Sequence, residues 1–159
     1  MMRTLIYAAA LTLAAATFNS AAYGRHRTNL GNVPHIFSTV QFPQNKARIV
    51  RHTFRLEIPA GSSAISQLKF TVPPGLTVKN DITVHYPSGT NFDANTSVSD
   101  NTVTIAFPQS IKPGTWFDID MNRVVISGVS NAWLYRVDAK YVGSNVEILI
   151  GFAQVRTYI

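Results

Sequence analysis

Residues 48–58 read Arg48-Ile49-Val50-Arg51-His52-Thr53-Phe54-Arg55-Leu56-Glu57-Ile58. Val50, Phe54, Leu56 and Ile58 fall on one parity, and Arg51, Thr53, Arg55 and Glu57 fall on the other. Side chains alternate across a strand, so a period of two describes a half-buried strand, one face on a core and one in water. His52 shares the apolar parity, which predicts a buried, hydrogen-bonded histidine rather than a metal ligand.

The same grammar extends outward. His35 to Phe42 is a β-leaning segment closed by Pro43, and Leu68, Phe70 and Val72 alternate before Pro73-Pro74-Gly75. Short apolar runs at 76–78 and 82–86 end at Pro87-Ser88-Gly89. Thr102 to Phe107 alternates up to Pro108, and Lys112-Pro113-Gly114 turns the chain again. Phe117, Ile119 and Met121 oppose Trp116, Asp118 and Asp120, and a brief strand follows at 124–126. Trp133, Tyr135, Val137 and Ala139 oppose Leu134, Arg136, Asp138 and Lys140. Gly143-Ser144-Asn145 leads into a last strand over 146–158. The polar stretch 91–101 reads as a turn-rich loop, because Asn and Asp bond their own backbone there. Ser62 to Ile65 has room for a one-turn helix, and no other helical period appears after residue 30.

Short strands separated by Pro and Gly turns predict an all-β fold, a single antiparallel β-sandwich of eight or nine strands. Transmembrane barrel strands are longer, about 9–11 residues, and fit these runs less well. The expected core is Phe54, Leu56, Phe70, Ile105, Phe117, Ile119, Trp133, Tyr135, Ile148 and Ile150.

The N-terminus carries a different signal. Met1-Met2-Arg3 precedes an uncharged Ala- and Leu-rich run from Leu5 to Phe18, then small residues at Ser20-Ala21-Ala22 and Ala22-Tyr23-Gly24. Basic start, apolar centre and small-residue site define a cleavable secretory signal peptide. The run is shorter than the roughly 20 residues a membrane span needs. The expected organisation is a signal peptide at 1–24, a flexible basic tail at 25–34 opening on Arg25-His26-Arg27, and the sandwich at 35–159. The expected destination is periplasm, cell envelope or extracellular space. The sequence has no cysteine, so no disulfide framework supports the fold.

Several turns and core positions together resemble a known family. Ala132-Trp133-Leu134-Tyr135, Ala139-Lys140, Gly143-Ser144 and the closing Ile150-Gly151-Phe152-Ala153-Gln154-Val155-Arg156-Thr157-Tyr158 look like the end of a cyanobacterial family of exported domains of unknown function, numbered twenty-eight-oh-eight. His52-Thr53-Phe54, Ile58-Pro59-Ala60, Pro74-Gly75-Leu76-Thr77-Val78 and Lys112-Pro113-Gly114-Thr115 follow the same order. The resemblance covers most of residues 48–158. It implies a secreted β-domain and carries no catalytic residues.

Nothing in the chain reads as a catalytic, metal or cofactor constellation. The four histidines are scattered singly, whereas zinc ligands come paired at short spacing. No nucleophile elbow and no phosphate-binding glycine loop occurs. Asp118 and Asp120 share a strand face, and paired carboxylates serve glycoside hydrolysis, so a glycan hydrolase using these two is the alternative function. The leading expectation is a non-catalytic envelope or extracellular module.

Its ligand chemistry is suggested by charge. The sequence has 14 Lys and Arg against 8 Asp and Glu, a net of +6, and loss of Arg3 with the leader leaves it clearly basic. Outside the cytoplasm this excess points to acidic polysaccharide or an anionic envelope surface rather than nucleic acid. Lys46, Arg48, Arg51 and Arg55 fall within ten residues and are the expected binding residues, Arg51 and Arg55 on the outward face of the clearest strand. Guanidinium suits bidentate recognition of carboxylate and phosphate. The apolar segment His35 to Phe42 is a second candidate surface, an edge strand for a protein partner.

Overall fold

The computed structural model describes residues 31–158, so the expected signal peptide and the Arg25-His26-Arg27 tail lie outside the described residues. Ten strands are present: β1 (His35–Phe42), β2 (Ile49–Ile58), β3 (Ile65–Thr71), β4 (Leu76–Val78), β5 (Ile82–His85), β6 (Asn95–Ser99), β7 (Thr102–Ile111), β8 (Thr115–Ile126), β9 (Ala132–Tyr141) and β10 (Ile148–Arg156). They form two antiparallel sheets. One runs β1-β2-β8-β4, with β5 also paired to β8; the other runs β10-β9-β3-β7-β6. The two sheets make the expected sandwich, with ten strands instead of eight or nine.

Alternation explains why the sheets pack. Phe54, Leu56 and Ile58 of β2 and Phe117, Ile119 and Met121 of β8 are fully buried, as are Leu68, Phe70, Ile105, Tyr135 and Val137 from the opposite sheet. The Phe54 ring lies 5.0 Å from both Phe70 and Tyr135. Burying each such side chain contributes about 1.5–3 kcal/mol, and this interface supplies the stability that disulfides supply elsewhere.

The departures from expectation have local causes. The tenth strand, β6, lies inside the polar stretch expected to be loop, and pairs with β7 from Asn95↔Ala106 to Ser99↔Thr102. Its inward residues Thr96 and Val98 are only half-buried, so the alternation is faint. Residues 124–126 are not a separate strand but the end of a 12-residue β8. Ser62 to Ile65 leaves the 59–62 turn and runs extended into β3, with no helix.

Eight of the ten expected core residues are buried; Ile150 is half-buried and Ile148 is 43% exposed. The pairing of β10 with β9 slips between Leu149 and Gly151. Gly151 takes φ +154°, a conformation L side chains rarely adopt. The extra residue reverses parity, so Ala153 and Val155 point inward instead.

Candidate anion-binding site

The outward face of the first sheet carries a ladder of polar pairs. Arg55 stands opposite Asp118 in the β2–β8 register and binds it through two parallel bonds, Nε to Oδ1 at 2.7 Å and Nη2 to Oδ2 at 2.8 Å. These hydrogen bonds and the carboxylate charge raise the Arg55 pKa further above its ordinary value. One step along, Thr53 donates to Asp120 Oδ1 and His85 Nε2 donates to Asp120 Oδ2 at 2.9 Å. The His85 pKa is raised, first by its bond to the Tyr86 carbonyl and then by Asp120 and the charge of Asp118. At the far end His35 Nε2 approaches Glu57 at 3.2 Å.

Arg55, one of the four expected binding residues, is therefore already paired within the sheet. The Asp118 side chain is only 6% exposed, and a buried carboxylate needs a counter-charge. Cross-strand partners 63 residues apart leave no spacing signal.

The other three expected cations sit toward the opposite end of β2 and have no carboxylate partner among the described residues. Arg51 lies 5.4 Å over the exposed Phe42 ring. Lys46 and Arg48 line a surface cavity of about 300 Å³ with Ala47, Ile126, Gly128, Val129, Ser130 and Thr157. Register adds two cations that sequence reading missed. The β2–β8 pairing skips between Val50↔Val124 and His52↔Met121, which sets Arg51 beside Asn122 and Arg123. The Lys79 amide donates to the Arg123 carbonyl at 2.9 Å, so Arg51, Arg123 and Lys79 occupy one level across neighbouring chain segments. Asp81 lies near the same level, where it accepts from the Asn122 side chain.

Asp118 and Asp120 share a face, as parity required, yet both oxygens of each already accept from Arg55, Thr53 or His85. Neither lines the cavity just described nor the two described next. Among the described residues no group of three or more His, Cys, Asp and Glu is arranged to hold a metal ion.

The two sheets also meet edge to edge. Thr39 of β1 donates to the Gln154 carbonyl of β10, and Thr157 Oγ1 donates to Gln41 Oε1 at 2.8 Å, so β1 and β10 run alongside in the same direction. The seam opens into a cleft of about 220 Å³ lined by Thr39, Val40, Gln41, Gln44, Gln154, Arg156 and Tyr158. A separate depression of about 370 Å³ on the far side includes Tyr86, Phe92, Asp93 and Lys112.

Behind the cleft lies a closed polar network. Gln41 Nε2 donates to the Pro43 and Asn45 carbonyls, both at 3.0 Å, which turns Oε1 toward His52 Nε2 at 3.2 Å. His52 Nε2 must therefore carry the proton, and Nδ1 accepts from the Tyr135 hydroxyl at 2.7 Å. Trp133 Nε1 donates to Thr157 Oγ1, completing the set. His52 is fully buried, as expected, and desolvation lowers its pKa to about 4. Burial also drives the Tyr135 pKa upward.

Two antiparallel sheets facing each other across a shared core define a β-sandwich. The structure is similar to the N-terminal domain of the Streptococcus gordonii adhesin Sgo0707, with 12% identity, 82% of this chain and 33% of that chain covered, and a TM-score of 0.52. It is similar to BcpA, the major pilin subunit of Bacillus cereus, with 12% identity, 77% and 40% covered, and a TM-score of 0.50. The collagen-binding domain from a Staphylococcus aureus adhesin has 14% identity, 79% and 98% covered, and a TM-score of 0.49. The chain thus spans about a third of the Sgo0707 domain's length and two-fifths of the pilin's. At these identities the likeness to the Sgo0707 domain and to BcpA concerns the fold alone. No family model and no curated protein matches the chain. Among the described residues no helix is long and apolar enough to cross a membrane.

Proposed function

We propose that this chain is an exported, non-catalytic surface module that binds an acidic polysaccharide through Lys46, Arg48 and Arg51, extended by Arg123 and Lys79. The observation that carries this reading is a cluster of cations at the β1–β2 end that have no ion-pair partner among the described residues. Three of the eight acids, Asp118, Asp138 and Glu147, pair with Arg or Lys, and two more, Glu57 and Asp120, contact histidines. The cations around the β1–β2 turn, by contrast, are uncompensated by any ion pair among the described residues. Cations without internal partners are available to an external anion, and their fields add over a Debye length of about 8–10 Å.

Other features point the same way. The leader-like N-terminus, the resemblance to a family of exported domains and the sandwich shared with an adhesin and a pilin all favour a place outside the cell. The hydrogen bonds that hold both oxygens of Asp118 and of Asp120 favour a structural role for those carboxylates over glycoside hydrolysis. Passage of the purified protein over immobilised polygalacturonate and over neutral cellulose tests the function. Retention on the acidic matrix at low salt, lost as salt rises, is expected; equal behaviour on the two matrices would refute it.

A further inference from the structure

The seam cleft differs from the cavity that holds Lys46 and Arg48. Its lining is three amides, one hydroxyl, one phenol, one guanidinium and the apolar Val40, and no carboxylate lines it. Gln41 and Thr39 form a fixed floor, because each already bonds within the fold. Two groups on the rim are uncommitted. The Gln44 side chain and the Tyr158 hydroxyl have no hydrogen-bond partner among the described residues. Arg156 reaches only Gln154 Oε1, at 3.4 Å from both Nε and Nη2, which steers the guanidinium without neutralising it.

We infer that this cleft is the subsite for one carboxylated sugar ring of an acidic glycan. The inference rests on the polysaccharide reading above and names where the ring sits. A sugar hydroxyl both donates and accepts; the Gln44 side-chain amide offers both functions, and the Gln154 amide offers its N–H donors. A planar carboxylate matches the fork of Arg156 bidentately. Tyr158 is exposed and presents an apolar ring face with a polar tip, as the C–H face and hydroxyls of a sugar require. The cleft's volume of about 220 Å³ is below the roughly 300–1,000 Å³ of drug-sized pockets, so it takes one ring rather than an oligomer.

Its position tells where the rest of the chain would run. Arg156 and Tyr158 line the cleft while the intervening Thr157 lines the cavity of Lys46 and Arg48. The Tyr158 amide is clipped to the Gln44 carbonyl at 2.8 Å, which holds the two sites side by side. A polymer leaving the cleft over Thr157 therefore meets the free cations directly.

Calorimetric titration of the purified protein with a galacturonate oligomer tests this, alongside a neutral galactose oligomer of equal length and vesicles of anionic phospholipid. The expected result is binding of the galacturonate oligomer, weakened about tenfold or more by Arg156→Gln. Tyr158→Ala and Gln44→Ala should each weaken it several-fold, whereas Arg123→Gln, outside the cleft, should weaken it less than Arg156→Gln. Tyr158→Phe, which keeps the ring, should retain most of the affinity if the Ala variant folds poorly. Should the Tyr158 and Gln44 variants bind like wild type and Arg156→Gln lose no more than Arg123→Gln, the cleft is not a subsite, although the polysaccharide reading survives. Binding of vesicles but not of either oligomer would overturn the subsite in favour of a lipid surface. A wild-type protein that binds no galacturonate oligomer and no polygalacturonate would remove both proposals.

Discussion

Arg51 and Arg55 sit four residues apart on the same face of β2, and the register gives them opposite surroundings. Arg55 faces the buried Asp118 and closes a bidentate pair. Arg51 faces the point where β8 slips by a residue, finds no carboxylate and rests on Phe42. One guanidinium is part of the sheet and the other is open to an external ligand. What separates them is the neighbouring strand, not their own type, spacing or parity.

The inner face of the same strand supplies the extreme case, and there the largest effect is expected. His52 has a folded pKa of about 4 against an ordinary 6.5, so between these values the unfolded chain binds a proton that the folded chain does not. Stability should fall as pH drops from 6.5 toward 4, by about 3 kcal/mol in all from this group. Denaturant unfolding of wild type and His52→Gln across that window isolates it: the advantage of wild type should shrink as pH falls. A constant advantage would mean that His52 is not held neutral. His85, on the outer face beside Asp120, has the opposite sign. Its raised pKa gives a contribution fully present below pH 6.5 and lost as pH rises through the folded value.

Next in size is Arg55→Ala, which leaves Asp118 buried without its counter-charge. A loss of about 1–3 kcal/mol is expected, read from the urea midpoint. It is held to that range because the Arg55 side chain is 40% exposed and water screens part of the pair. Arg51→Ala should change stability by less than about 0.5 kcal/mol, as for other exposed side chains without a partner. Equal losses at the two positions would erase the distinction between paired and free cations.

How much of this could be read beforehand follows from the same contrast. Periodicity revealed β2, the first half of β8 and β9, because each alternates strongly between buried and exposed residues. Parity alone places His52 in the interior. The strand β6 was hidden because Asn95 to Ser99 is polar on both parities apart from Val98, and an edge strand needs little more. Parity misplaces Ile148 because the register slip at Gly151 lies between two apolar residues, where either parity looks acceptable. At the candidate site, Lys46, Arg48 and Arg51 were visible as a local cluster. Arg123, Lys79, Arg156 and Tyr158 were not, since sequence holds no signal for residues that meet through strand pairing and an edge-to-edge seam. The pairing of Arg55 was lost for the same reason.

The most direct test of the central claim is the salt dependence of binding to polygalacturonate by wild type and three variants: Arg48→Glu/Arg51→Glu, Arg55→Gln and Lys140→Glu. The free cations at the β1–β2 end should carry the interaction. The double variant is expected to bind about tenfold or more weakly at low salt, with a shallower salt slope and an unchanged unfolding temperature. Lys140→Glu should have a smaller effect, and Arg55→Gln should lose stability with little change in the affinity of its folded fraction. Undiminished binding by the double variant, or a loss confined to Arg55→Gln, would contradict the account.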